Sequence, residues 1–229
     1  ACRADTGCVG CSMDMLLART GGDEFVVLLE GVCSSLAVAR VARALHASLQ
    51  EPISFGEDQG TVGASIGIAE SGPGYHDVEQ IQRDADLAMY EAKAQGRGRT
   101  VFFTADLGHR VRNRMTLESE IREAIRERQF VLHYQPIFAL GDSTRPSGFE
   151  ALIRWAHPNR GLLEPSRFIP AAEESGLIVP IGEWVLVEAC RALSRLHQGL
   201  AGDEPRPYMS INIAPMQFLQ PDFVRQVEM

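Results

Sequence analysis

Apolar residues change their spacing several times along the chain, and each change marks an element. Leu16-Leu17-Ala18-Arg19 and Phe25-Val26-Val27-Leu28-Leu29 flank Thr20-Gly21-Gly22-Asp23. Two apolar runs around a Gly-Gly pair predict a β-hairpin, because glycine accepts the positive φ that a tight turn demands. From a cap at Ser34 or Ser35, residues Val38, Val41, Ala42, Leu45 and Leu49 recur at helical spacing. Over residues 61–69 the period falls to two, with Val62, Ala64, Ile66 and Ile68 on one face. Gly63, Ser65 and Gly67 take the other face, small enough to admit another element at close range. A second helix is expected after Asp84, burying Ala85, Ala88, Met89 and Ala92 and ending at Gly96. Val101-Phe102-Phe103 reads as a last strand of this half, and residues 1–13 show no period.

Residues 106–129 are strongly charged, with Leu117, Ile121, Ala124 and Ile125 on one side and Glu118 four residues before Arg122. This pattern predicts a connecting helix and divides the chain into 1–105, 106–129 and 130–229. Strands are expected over 131–137, 148–155 and 208–214, with helices near 166–175 and 180–197. Strand, helix and strand in succession predict parallel pairing through helical crossovers, an α/β arrangement.

Composition narrows the class. Hydrophobic residues make up 45% of the 229 and charged residues 23%, ordinary for a chain that buries a core. A net charge of -8 argues against an electrostatic footprint for DNA or RNA. It leaves room for a phosphate-bearing small molecule held by a cation or by local Arg and Lys. No apolar run approaches the ~18 residues of a membrane span, and the first residues lack the order of a secretory signal. Five cysteines in a chain this long do not read as a disulfide framework, so a reducing cytoplasm is the expected compartment. Cys8 and Cys11 form a CxxC with Cys2 nearby, but a zinc site would want a second pair at short range, and only Cys33 and Cys190 remain.

Two constellations carry candidate chemistry. Gly21-Gly22-Asp23-Glu24-Phe25 sets two carboxylates beside a backbone without Cβ atoms, where a nucleotide could approach. Carboxylates hold phosphates only through a cation such as Mg²⁺. Lys93 and Arg97 stand one turn apart, either reaching a polyphosphate or merely complementing a helix C-terminus. In the second constellation, period two puts Glu150, Leu152 and Arg154 on one face of a strand and Phe149, Ala151, Ile153 and Trp155 on the other. Gln135 and Asn212 fall on neighbouring strands. Two arrangements satisfy these groups: an internal Glu150–Arg154 ion pair with Asn212 holding loop backbone, or oxygen ligands for a divalent cation beside a guanidinium for phosphate.

The ordered motifs have a family resemblance. Arg19-Thr20-Gly21-Gly22-Asp23-Glu24-Phe25, Ser65-Ile66-Gly67-Ile68-Ala69 and Ala85-Asp86-Leu87-Ala88-Met89-Tyr90-Glu91-Ala92-Lys93 with Gly96-Arg97 resemble the GGDEF family of diguanylate cyclases. The resemblance implies a palm-like α+β domain that joins two GTP molecules into cyclic di-GMP, with two domains meeting face to face. It implies that Gly21 and Gly22 line the GTP site, that Asp23 and Glu24 serve metal binding and catalysis, and that Lys93 and Arg97 hold phosphates. The family's first metal-binding strand has no counterpart upstream of the hairpin, and no Arg stands near Cys11 to Asp14 for its product-inhibition motif. As written, this domain is expected not to cyclise GTP.

Tyr134-Gln135-Pro136-Ile137, Glu150-Ala151-Leu152-Ile153-Arg154-Trp155, His157-Pro158, Phe168-Ile169-Pro170, Ala172-Glu173-Glu174-Ser175-Gly176 and Asn212 with Gln217 resemble the first part of the EAL family. Those proteins are cyclic di-GMP phosphodiesterases on a TIM-like barrel. The resemblance implies that Glu150 and Asn212 ligate a catalytic metal, Mg²⁺ or Mn²⁺, and that Gln135 and Arg154 contact the dinucleotide. The implied reaction is attack of metal-activated water on one phosphodiester, giving the linear dinucleotide. Asn212-Ile213-Ala214 departs from the usual Asn-x-Ser. The paired aspartates, the catalytic Lys and a later Glu are missing. About three strands are offered where a closed barrel needs eight, so the isolated chain is expected to be poorly soluble or to self-associate.

Taken together, the motifs resemble a GGDEF–EAL tandem protein cut short in both domains: a partial palm-like α+β domain followed by the first part of a TIM-like barrel. The parent is expected to be a cytoplasmic homodimer, or one tethered to the inner membrane, that hydrolyses cyclic di-GMP. The 229-residue chain itself is expected to be inactive. The alternative is a degenerate tandem protein that binds GTP or cyclic di-GMP and signals through partners.

Overall fold

The computed structural model describes residues 13–56, 58–141, 144–200 and 205–228, so the Cys8–Cys11 pair lies outside the described residues. The chain divides into two compact units, Ala1–Val111 and Arg112–Met229.

In the first unit, β1 (Asp14–Gly21) and β2 (Glu24–Glu30) form the expected hairpin, pairing antiparallel with Leu16 opposite Leu28 and Arg19 opposite Phe25. α1 (Ser35–Gln50) starts at Ser34, whose hydroxyl accepts the Ala37 N–H and satisfies a donor that the first helical turn leaves free. β3 (Ile53–Phe55) and β4 (Asp58–Gly60) make a short antiparallel ribbon. β5 (Ile66–Ile68) is shorter than the expected 61–69, because β6 (Thr100–Phe102), its parallel partner, offers only a three-residue ladder.

α2 (Val78–Ala94) begins earlier than the pattern predicts. Both Asp77 and Asp84 have the chemistry of a cap, but Asp77 takes the role by accepting the Gln80 N–H at 2.5 Å. Asp84 instead lies buried inside the helix and accepts the Tyr75 hydroxyl at 3.0 Å. The small face of β5 receives this helix. A Cβ built on Gly67 would stand 2.1 Å from the Ala85 carbonyl oxygen and 2.2 Å from the Met89 nitrogen, so only glycine lets the two backbones meet. After Ala94 the chain turns through positive φ at Gly96, Arg97 and Gly98. Ala88, Leu107 and Val111 centre the core of this unit, packed by Leu87, Tyr90, Val101 and Phe103.

α3 (Ala105–Arg126) carries Leu107 and Val111 of that core, and its later residues Leu117, Ile121, Ala124 and Ile125 belong to the core of the second unit. Past its last residue, Arg128 at a φ of 53° and the Gln129 N–H to Ala124 carbonyl bond turn the chain into the next strand. The second unit then runs β7 (Phe130–Ile137), β8 (Gly148–His157), β9 (Gly161–Leu163), a single 3-10 turn at Pro165–Arg167, α4 (Ile169–Glu174), α5 (Ile178–Gln198), β10 (Tyr208–Ile211), α6 (Pro215–Phe218) and α7 (Phe223–Glu228).

Its four strands form one sheet in the order β10-β8-β7, with β9 also on β8. β8 and β10 are parallel through the α5 crossover, as the strand–helix–strand pattern predicts. β7 and β9 run antiparallel to β8, so the sheet is mixed. The link from β7 to β8 contains no helix, and without a crossover the strands pair as neighbours in opposite directions. Trp155 and Phe168 are fully buried, and their rings meet edge-on at 5.6 Å, with Phe130 5.8 Å from Trp155. Gln129 pins this cluster twice: its side chain accepts the Trp155 indole N–H at 3.0 Å and its backbone carbonyl accepts the Ala156 N–H.

Among the described residues no helix is long and apolar enough to cross a membrane. Cys190 is a free, exposed thiol, whereas Cys33 is disulfide-bonded where the sequence predicts reduced cysteines.

Candidate functional site

The sheet of the second unit has two unlike faces. Phe130 and Leu132 of β7, Ile153 and Trp155 of β8 and Ile211 of β10 point to the helix-covered core. Alternation then sends Gln135, Glu150, Leu152, Arg154 and Ser210 to the opposite face. The register brings Gln135 and Ser210 level with Glu150 from either side. Asn212 follows two residues after Ser210, just past the end of β10, and so returns to the same face.

At this point two sequence-predicted residues touch. The Asn212 Nδ2 donates to Glu150 Oε1 at 2.8 Å, although 62 positions separate them in the chain. The internal ion pair between Glu150 and Arg154 is not formed. Arg154 directs Nη1 to the Ile153 carbonyl at 2.8 Å, which leaves most of its five N–H donors uncommitted. Gln135 is exposed beside Glu150 on the adjacent strand. Gly148, two residues before Glu150, is also required by geometry. A Cβ there would stand 2.7 Å from the Tyr208 ring, so glycine lets β10 close on β8 at the position that sets the Glu150 register.

The first unit arranges its predicted residues differently. Gly22 and Asp23 form a two-residue turn between Gly21 and Glu24, with Gly22 at φ 48°. Arg19 closes this turn by donating Nε to the Gly22 carbonyl at 2.9 Å and Nη2 to the same oxygen at 2.5 Å, while its guanidinium lies 5.9 Å from the Phe25 ring centre. Asp23 and Glu24 are exposed. Lys93 sits in the last turn of α2, and Arg97 lies three residues beyond that helix in the left-handed region, with its N–H bonded to the Ala92 carbonyl. Both are exposed, and among the described residues no hydrogen bond or ion pair joins either of them to Asp23 or Glu24.

Among the described residues no three or more His, Cys, Asp or Glu side chains gather as a metal site. The Glu150–Asn212 pair still offers hard oxygen donors of the kind that Mg²⁺ or Mn²⁺ prefers, with the Gln135 amide alongside. The residues therefore fit part of a divalent-cation site in the second unit. A cleft of about 340 Å³ lined by Asn113, Thr116, Leu117, Arg160, Leu163 and Arg167 holds none of the predicted residues.

Sequence reasoning missed several supports. His157 appears in a motif, but its place is structural: it is buried, its ring lies 4.9 Å from Trp155, and its Nδ1 accepts the Asn159 N–H. Ser210 and Tyr208 were visible only as strand residues, because their relation to Glu150 depends on register. A glycine inside an apolar helical run, Gly182, was the available signal for a close approach to α5.

Two family models match successive parts of the chain. Residues 11–99 match the family model "Diguanylate cyclase, GGDEF domain", and residues 118–229 match "EAL domain". The bifunctional diguanylate cyclase/cyclic di-GMP phosphodiesterase MucR of Pseudomonas aeruginosa is 38% identical over 211 residues, covering 92% of this chain and 30% of that protein. The cyclic di-GMP phosphodiesterase PdeR of Escherichia coli is 41% identical over 182 residues, covering 80% of this chain and 27% of its own length. Among solved structures, the EAL enzyme Bd1971 in its cAMP- and cyclic-di-GMP-bound form aligns with a TM-score of 0.50 at 28% identity, over 68% of this chain and 40% of that one. The chain thus spans less than a third of the length of these two sequence relatives. With both family models matched in tandem order, the chain belongs to the GGDEF–EAL family, a GGDEF segment followed by an EAL segment that begins a barrel.

Proposed function

We propose that this chain belongs to a cyclic di-GMP signalling protein in which the EAL segment binds the dinucleotide and contributes to metal-dependent hydrolysis of one of its phosphodiesters. The observation that carries the reading is the Glu150–Asn212 contact at 2.8 Å, with Gln135 level on the next strand. Glu150 and the Asn212 amide oxygen would hold a divalent cation, Mg²⁺ or Mn²⁺. Bound there, such a cation supplies positive charge that lowers the pKa of water and polarises a phosphate oxygen.

The protein's own residues do the rest. Asn212 orients the Glu150 carboxylate by donating to it, so the acid is held in place before any ligand arrives. Arg154 lies on the same face of β8 as Glu150, and its uncommitted N–H groups suit a phosphate, which a guanidinium grips by two parallel bonds. The Gln135 amide can accept from and donate to a base or sugar edge. The GGDEF segment reads as a GTP-binding partner: Asp23 and Glu24 are exposed at a hairpin tip, and among the described residues neither is held in an ion pair. In the parent protein this reading includes a homodimer, because two GGDEF domains must face each other to join two GTP molecules.

Calorimetry with cyclic di-GMP in the presence of Mn²⁺ tests the proposal. The chain should bind the dinucleotide, and Glu150→Gln should weaken that binding about tenfold or more, a difference of about 1.4 kcal/mol. Unchanged affinity in that variant would sink the assignment. Hydrolysis by the parent protein separates the enzyme from the alternative, a tandem protein that binds the nucleotide without turning it over.

A further inference from the structure

Gln217 is the most deeply buried polar side chain among the described residues, and the proposed chemistry leaves it unused. It is 1% exposed, and its Nε2 has no hydrogen-bond partner among the described residues. A buried amide donor without a partner is costly, and an apolar side chain of the same length would avoid that cost. The amide lies in a notch on α5. A Cβ built on Gly182 would stand 2.1 Å from the Gln217 Oε1, 2.4 Å from Cδ and 2.7 Å from Nε2. Glycine is a poor residue for a helix interior, and Gly182 sits between Ile181 and Val185 of the core-facing stripe. Its presence there is explained by the flat amide resting against the bare Cα.

The segment from this notch to the candidate site is short and stiff. Gln217 belongs to α6, whose first residue is Pro215 and whose N-cap is Ala214; the Gln217 N–H donates to the Ala214 carbonyl at 3.0 Å. Proline fixes φ at the helix start, so little slack remains between Gln217 and Asn212. Ala214 itself packs on the main core. We infer that Gln217 is a positioning residue: seated over Gly182, it fixes the β10–α6 connection and thereby the place of Asn212 against Glu150. The link to metal binding rests on the proposed reading of Glu150 and Asn212 as a cation-holding pair, whereas the geometric link does not.

The test uses the full 229-residue chain and the variants Gly182→Ala, Gln217→Ala and the double variant, followed by two readouts. The first is the side-chain amide resonance of Asn212 by nitrogen-15 NMR; the second is its broadening on titration with Mn²⁺ alone. Gly182→Ala should displace the Asn212 resonance and weaken its Mn²⁺ response about tenfold. In the double variant the clash and the seated amide are both gone, so its Asn212 resonance should match that of Gln217→Ala rather than that of Gly182→Ala. Gln217→Ala keeps the test open should Gly182→Ala fail to fold, and it should loosen Asn212 by the same readout. A lower melting temperature with an unmoved Asn212 resonance in both single variants would overturn the inference and leave only a packing role. No Mn²⁺ response in the unaltered chain would count against the cation-site reading instead, while the resonance shifts still decide the positioning role.

Discussion

The two units carry comparable amounts of acidic and polar chemistry but support it differently. In the second unit, Gln135, Glu150 and Ser210 stand level on three paired strands, with a sheet face packed by Trp155, Phe168 and Phe130 behind them. In the first, Asp23 and Glu24 occupy the tip of a two-stranded ribbon whose β1 is exposed at every position. A ribbon of two strands has little core of its own to hold its side chains in place. The difference teaches that a motif becomes a preorganised site only where packing fixes the backbone beneath it. Arg19 ties the hairpin turn to itself, and among the described residues no side-chain hydrogen bond or ion pair holds the two carboxylates.

This contrast can be broken or sharpened by experiment, and the two tryptophans help, since Trp155 and Trp184 both lie in the second unit. The largest effect is expected from Trp155→Ala, which empties a fully buried aromatic site and should cost ~3–5 kcal/mol by urea denaturation. If the variant unfolds at the same urea concentration as the parent chain, the aromatic cluster is not what holds the sheet. Next, Gly67→Val forces a side chain against the backbone of α2 and should cost ~1–3 kcal/mol in the first unit. Far-UV circular dichroism should register that loss while the tryptophan fluorescence midpoint stays put. A shared shift of both signals would mean that the units unfold together.

Smaller effects test the hairpin and the buried aspartate. Arg19→Ala removes two donors from the Gly22 carbonyl in an exposed turn, so a loss of about 0.5–1.5 kcal/mol or less is expected. Amide exchange should quicken around the turn and remain unchanged on β8. The smallest effect concerns pH. Burial, followed by the hydrogen bond and charge of Asp84, raises the Tyr75 hydroxyl above its ordinary value near 10. Because the folded value is the higher one, the contribution is fully present below the ordinary tyrosine range and is lost as the pH climbs through the raised value. Tyr75→Phe should therefore flatten the alkaline fall in stability, and an identical alkaline profile in that variant would remove Tyr75 from the account.

Much of this was legible in the sequence. The Gly-Gly turn and the Ser34 cap act through neighbours in the chain, and the alternation of Gly67 with Ile66 and Ile68 marks a small face, so local spacing reports all three well. The start of α2 was misread because Asp77 and Asp84 carry the same capping chemistry, and only the fold shows that Tyr75 claims the second one. For the candidate site, alternation separated Glu150 and Arg154 from the core face but could not choose their partners. Coulomb attraction favours a Glu150–Arg154 pair, yet Arg154 turns to its own backbone and Asn212 takes the carboxylate.

By itself, the sequence determined the main elements, the two faces of β8 and the family whose motifs it carries, because periods of two and 3.6 and the order of motifs are properties of the chain alone. Only the tertiary structure decided that β7 opposes β8, that Gly148 lets Tyr208 close on the sheet, and that Gly182 receives Gln217. The physical reason is separation: strand register and close backbone approach are settled between residues tens of positions apart, by whichever packing leaves the fewest voids and unpaired groups.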